Sequence, residues 1–221
     1  MSSTERAMFS TGILKLQIDV KHKDAQALVE ALRVNESITL IDLSCNQIDG
    51  KGVKALAEAL YVNRFITSIN LSYNKLGDES VKALAEALRV NKSITLISLH
   101  ANEIGIEGAK ALADMLYVNL SLRSINLYDN QIGNEGAKAL AKALTVNKSI
   151  RSLNLRNNYI GDEGAKALSE ALYVNNSVTS ILLSWNLIRY QGIITLLRAL
   201  RANFTVLHFL LDLSSVEEIK T

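Results

Sequence analysis

The side chains able to run polar chemistry near neutral pH are few in this chain, and they are scattered. Three histidines, His22, His100 and His208, share no spacing that would ligate a metal ion, and no Ser/His/Asp or Cys/His arrangement can be assembled around them. Cys45 is the only cysteine, which rules out an internal disulfide and fits a reducing compartment. The glycines at 105, 108, 133, 136, 161 and 164 recur with a fixed period, so they read as turn geometry and not as a phosphate-cradling loop. The expectation is a chain with no catalytic residue, no metal site and no cofactor. A different chemistry, recognition by large side chains, is offered by Tyr73, His100, Tyr128, Arg156 and Trp185. These residues fall in register on a background of small polar residues, and Tyr, Trp and Arg are the types that dominate protein-binding hot spots. Asn126, Asp129 and Asn154 lie beside them as polar support.

The register comes from an internal repeat. Asparagines 46, 74, 102, 130, 158 and 186 stand 28 residues apart, each within I/V/L-x-x-I/L-x-L-x-x-N-x-I/L. Such a period marks a solenoid whose units cannot bury their apolar faces alone. The first half of a unit alternates, as in Ile66-Thr67-Ser68-Ile69-Asn70-Leu71, and predicts a short strand with Ile69 and Leu71 inward and Ser68, Asn70 and Ser72 outward. In the second half, as in residues 136–144, leucines lie four apart among alanine and lysine, which predicts an amphipathic helix. Asp78-Glu79 and Asp162-Glu163 are expected at the cap and first turn of their helices. Asparagines 35, 63, 91, 119, 147, 175 and 203 are expected to end the helices in a left-handed conformation. The six landmark asparagines are expected to form a structural ladder on buried backbone groups.

Strand, loop, helix and return within one unit force parallel strands and stacked helices, with right-handed crossovers. Strands ~4.8 Å apart against helices ~8–10 Å apart bend the stack, with strands on the inner, concave face and helices on the convex face. Alanines 55, 83, 111, 139 and 167 are expected to let the helices approach one another. The string LxxLxLxxNxIgdeGakaLaeaL resembles the leucine-rich repeats of the ribonuclease-inhibitor type, with Ile94–Leu116, Leu122–Leu144 and Ile150–Leu172 the best copies. The resemblance implies an α/β leucine-rich-repeat solenoid, a partial horseshoe that binds other proteins. Its relatives include inhibitors, sensor domains of immune receptors, the activating protein of the Ran GTPase, and effectors secreted by intracellular bacteria. The chain departs from the inhibitor in its single cysteine, its uniform unit, and its span of about half a horseshoe.

The predicted organisation is residues 1–37 as N-terminal tail and capping repeat, 38–205 as six repeats, and 206–221 as a capping strand and tail. A net charge of +2, from 24 basic and 22 acidic residues, points to neither a nucleic-acid nor a membrane partner. No secretory signal or membrane span is legible, so a cytoplasmic location is expected, and delivery into a host cell stays open. Lys54, Lys82, Lys110, Lys138 and Lys166 form an outer row, expected to pair with Glu58, Glu86, Asp114 and Glu170 four residues on. The sequons at 35, 70, 91, 119, 147, 175 and 203 mostly coincide with helix-ending asparagines and are not read as glycosylation sites. The functional expectation is a non-catalytic module that binds a partner protein through the inner face. Two alternatives stand beside it. One is a GTPase regulator similar to the Ran-activating protein, using Arg123, Arg151 or Arg156; the other is a self-associating repeat, a homodimer through the apolar C-terminal unit.

Overall fold

The computed structural model describes residues 6–10, 13–17 and 29–211. His22, Ala27 and Leu28 of the expected capping repeat and the tail at 212–221 lie outside the described residues. Among the described residues nine strands form one sheet in sequence order. Strands β1 (Arg6–Ser10) and β2 (Ile13–Gln17) pair antiparallel, an N-terminal hairpin that the repeat pattern does not announce. From β2 onward every pairing is parallel. The remaining elements alternate as β3 (Leu40–Asp42), α1 (Gly50–Val62), β4 (Ser68–Asn70), α2 (Gly77–Val90), β5 (Leu96–Ser98), α3 (Ile106–Leu116), β6 (Ser124–Asn126) and α4 (Gly133–Val146). They continue as β7 (Ser152–Asn154), α5 (Asp162–Val174), β8 (Ser180–Leu182), α6 (Tyr190–Ala202) and β9 (His208–Leu210).

Strands β3 to β8 each bury their middle residue, and the 28-residue register stacks these as Ile41, Ile69, Ile97, Ile125, Leu153 and Ile181. A second column, Leu43 to Leu183, follows two residues later, and the helices add Leu56, Leu84, Leu112, Leu140, Leu168 and Leu196. The result is one continuous core in which each unit covers its neighbour's apolar face.

The closest approach between helices is made by glycine and a different set of alanines from the one expected. A Cβ on Gly136 would sit 2.8 Å from the Ala109 Cβ, and one on Gly164 or Gly192 would lie 3.2 or 3.1 Å from Ala137 or Ala165. These glycines therefore serve helix packing, not a turn. Ala55, Ala111, Ala139 and Ala167 are only partly buried against the core.

The helix-ending asparagines correct a second expectation. Asn63, Asn91, Asn147, Asn175 and Asn203 have φ between −65° and −101° and extended ψ, and none is left-handed. Their side chains do the work instead. In Asn119 the amide nitrogen donates to the Leu88 and Asn91 carbonyls at 2.7 and 3.1 Å, while Oδ1 accepts from the backbone N–H of Ser121 and Leu122 at 3.0 and 2.8 Å. The same four bonds recur at Asn63, Asn91, Asn147, Asn175 and Asn203. These side chains tie the free C-terminal carbonyls of one helix to the start of the next strand. The serine two residues on, as in Ser93 and Ser149, gives its hydroxyl to the same Oδ1. That arrangement makes the sequons and leaves the buried amides of Asn91, Asn119, Asn147 and Asn175 out of reach of a glycosyl group.

The helix N-termini obey a rule that crosses repeats. Asp78 accepts the Gly105 N–H at 2.7 Å, Asn134 the Gly161 N–H at 2.7 Å and Asp162 the Arg189 N–H at 2.7 Å. First-turn residues therefore hold the start of the following helix, and none of the three caps its own. Where the preceding repeat has no acceptor at that place, at Gly50 and Ile106, the next glycine rotates. Gly77 and Gly133 take φ of +63° and +61° and give their N–H to the Asn102 and Asn158 carbonyls. Only glycine adopts that conformation without strain.

Candidate functional site

Short strands position the exposed row. On β6 and β7 the outward Asn126 and Asn154 each accept the backbone N–H two residues on, that of Tyr128 at 3.1 Å and of Arg156 at 3.2 Å. Both therefore set the chain direction where it leaves the sheet. Tyr73, Asp129 and Trp185 occupy the next place, directly before a landmark asparagine, with left-handed φ of 59°, 57° and 60°. This strained conformation swings their side chains along the edge of the strand-lined face, at a cost of about 1–2 kcal/mol for a residue other than glycine. Asp129 tolerates it better than Tyr73 or Trp185 does.

The large residues meet. Ring centroids of Tyr73 and His100 lie 4.6 Å apart, and those of His100 and Tyr128 lie 4.4 Å apart, stacked at 22°. Tyr128 and Trp185 are 5.7 Å apart, and the Arg156 guanidinium carbon lies 5.6 Å from the Tyr128 centroid and 4.7 Å from that of Trp185. Five residues spread over 113 positions of sequence thus form one unbroken row of π faces and a cation, each contact worth ~0.5–1.5 kcal/mol. Nothing in the core requires it, because all five side chains stand on the outward side.

Two polar details sharpen the site. Burial holds the pKa of His100 below its ordinary value, against a weaker opposing pull from Asp129, so the imidazole in the row is neutral at pH 7. Arg156 Nε is buried and has no hydrogen-bond partner, and no acceptor is found for the rest of its guanidinium among the described residues. Asp129 is held by the Asn157 side-chain amide. Beside the row a pocket of about 340 Å³ is lined by Tyr73, Lys75, Glu103, Asp129, Gln131 and Tyr159, among others. Lys75, Glu103, Gln131 and Tyr159 went unread in the sequence. They share the place directly after a landmark asparagine, which varies freely from repeat to repeat and so carried the signal.

Other readings of the sequence resolve differently. Arg123 and Arg151 stand at the opposite end of their strands from Arg156, where each donates across to the next repeat, to the Ser149 and Ser177 carbonyls at 3.0 and 2.8 Å. On the helices Lys82, Lys110 and Lys138 pair three residues back, with Glu79, Glu107 and Glu135 at 2.6 to 2.8 Å, and not four residues on. The shared hydrogen bond raises each lysine's pKa and lowers each glutamate's. Cys45 is exposed. Among the described residues no cluster of His, Cys, Asp or Glu could hold a metal ion, and no helix is long and apolar enough to cross a membrane.

The landmark asparagines bridge repeats. Asn130 Oδ1 accepts the Asn102 and Ile104 N–H at 3.1 and 2.9 Å, and its amide nitrogen donates to the Leu99, Leu127 and Tyr128 carbonyls at 3.0, 3.0 and 3.2 Å. Asn74 and Asn186 make equivalent sets, Asn102 accepts the Asn74 and Leu76 N–H and donates to the Leu71 and His100 carbonyls, and Asn46 donates to the Ser44 carbonyl. Asn158 differs. Its Nδ2 donates to the Leu127 and Arg156 carbonyls, but its buried Oδ1 has no partner, because in the loop carrying the rotated Gly133 the Asn130 N–H turns to the Asn157 carbonyl.

A family model described as Leucine Rich repeat matches residues 34–57, 62–85, 118–141 and 146–169. The chain therefore carries leucine-rich repeats. Its unit of short strand and full helix over 28 residues is of the ribonuclease-inhibitor type. No curated protein matches the chain. Among solved structures, the actin-binding site 2 of leiomodin-1 is similar at 21% identity and a TM-score of 0.58, over 69% of this leucine-rich-repeat chain and 88% of that one. The tropomodulin C-terminal domain of Caenorhabditis elegans is similar at 18% identity and a TM-score of 0.53, over 82% and 93% of the two chains. At these identities the likeness is one of fold.

Proposed function

We propose that this leucine-rich-repeat protein is a non-catalytic binding module that docks a partner protein on its strand-lined face, centred on His100, Tyr128, Arg156 and Trp185. The observation that carries the reading is the continuous ring-and-guanidinium row, built from side chains that contribute nothing to the core. Tyr73 extends it at one end; Asn126, Asn154 and Asp129 frame it. The landmark asparagines are the scaffold under it. The neighbours' domain named for actin binding supplies a first candidate partner, tested by co-sedimentation with filaments, and an unbiased capture from native lysate extends the search. Whatever the partner, Tyr128→Ser with Arg156→Ser should weaken binding by ~2 kcal/mol or more per residue while leaving the melting temperature within a few degrees. Lys110→Ser with Lys138→Ser on the helices should change little. Binding that survives the inner pair and is lost with the outer pair would move the site to the helical surface.

A second reading, self-association, is favoured by the apolar C-terminal unit, where Phe204 and Leu207 are 91% and 77% exposed. Light-scattering mass across a concentration series decides it. An enzyme-linked role through Arg123 or Arg151 has less support, since both are engaged with backbone carbonyls. A reducing, intracellular setting accords with the single cysteine.

A further inference from the structure

We infer that the partner meets the strand-lined face as an extended segment carrying one acidic side chain, whose carboxylate seats on Arg156. The inference rests on the binding face proposed above and names its chemistry. Arg156 has five N–H donors in a planar fork, yet Nε is buried without a partner and no protein acceptor meets the others among the described residues. Two rings hold that fork in place, with its carbon 4.7 Å from the Trp185 centroid and 5.6 Å from that of Tyr128. Arg123 and Arg151, by contrast, each give a guanidinium N–H to a backbone carbonyl of the next repeat. An immobilised guanidinium with its donors unspent is matched by a planar bidentate acceptor, and in a protein that group is a carboxylate.

The row also sets the shape of the segment. From Tyr73 to Trp185 it crosses five strands of the sheet, so it spans about 19 Å at the inter-strand spacing, the reach of about six extended residues. His100 is neutral because burial depresses its pKa, and together with Tyr73 it offers uncharged ring surface to aliphatic or aromatic groups. Asp129, exposed beside the row, repels a second acid there and fixes the register of the single carboxylate.

Trp185 is the only tryptophan, so its fluorescence reports on this site in the full chain without a label. The probes are three six-residue peptides of leucine and alanine. One has a central glutamate with both ends blocked, one has glutamine in its place with both ends blocked, and the third is the glutamine peptide with a free C-terminal carboxylate. The expected result is a saturable change with the glutamate peptide, at a Kd at least tenfold below that of the blocked glutamine peptide. Arg156→Gln should remove the difference, and Arg156→Lys, which keeps the charge but not the fork, should restore only part of it. Circular dichroism melts of both variants establish that they are folded. Equal binding of glutamate and glutamine peptides overturns the acidic assignment and leaves the binding face standing. Tighter binding of the free-carboxylate peptide overturns the side-chain assignment in favour of a chain terminus. No response to any peptide up to millimolar concentration overturns the inference, and the proposed face falls with it if the Tyr128/Arg156 double serine variant also keeps its partner.

Discussion

Replacing Asn130 or Asn158 by alanine removes the same atom set from the same repeat position, yet the two substitutions should not cost the same. Asn130→Ala strands the Asn102 and Ile104 N–H groups, each bonded only to Oδ1 in a site 4% exposed, and releases three carbonyls as well. Asn158→Ala releases two carbonyls and strands no N–H group, because its Oδ1 accepts nothing. A buried donor left without a partner costs about 1–3 kcal/mol. Taking the low end for two N–H groups separates the variants by about 2 kcal/mol, with Asn130→Ala near 3 kcal/mol and Asn158→Ala near 1 kcal/mol. For a chain of this size that gap is roughly 4–8 °C in melting temperature. Urea unfolding followed by far-ultraviolet circular dichroism and by Trp185 fluorescence measures it and tests whether the repeats unfold together. Equal losses in the two variants would refute the reasoning, since they would show that the asparagine works by shape and not by hydrogen bonding.

Three further outcomes are expected. Asn119→Ala, in the second asparagine set, should cost about as much as Asn130→Ala because it also strands two N–H groups, those of Ser121 and Leu122; the same urea titration checks it. Gly133→Ala should cost about 1–2 kcal/mol because of its left-handed φ, and adding Ile106→Asn, which supplies the missing acceptor, should recover most of that loss in thermal unfolding. Stability should fall as the pH drops below about 6.5, the unfolded value, because burial holds the His100 pKa lower in the folded chain: the unfolded chain binds the proton first, and the loss is complete once pH passes the lower folded pKa. His100→Gln should flatten that part of the urea midpoint against pH.

The spacing of Asn46 to Asn186 carried the solenoid, the parallel register and the core columns, because a strict period leaves one way to stack the leucines. The same register placed His100, Tyr128 and Arg156 at equivalent outward positions on adjacent strands, whereas Tyr73 and Trp185 reach the row through a left-handed backbone that no spacing announces. What the residues could not disclose were partners lying one repeat away. Asn119 reads locally as a helix stop, and only the stack reveals that its amide reaches carbonyls 28 and 31 residues back. Lys138 has acids both three residues before it and, on neighbouring helices, elsewhere; rotamer geometry chose Glu135. The hairpin of β1 and β2 has no repeat behind it, so no periodicity could signal it.

The rule linking each helix start to the residue 27 positions earlier makes the junction, rather than the repeat, the smallest portable piece of this chain. Excising residues 79–106 would join Asp78 to Glu107 and leave Gly133 preceded by a carboxylate acceptor, so its loop would switch to the extended form and no longer need glycine. Excising 107–134 instead would join Ile106 to Glu135 and place Gly161 behind a residue that offers no acceptor, forcing the opposite switch. Both deletions remove 28 residues and keep the period, yet they are different edits. Lengthening or shortening the array by duplication is therefore constrained by where the cut falls, and a copy inserted out of phase with its acceptor would survive only where glycine happens to wait one turn of the solenoid ahead.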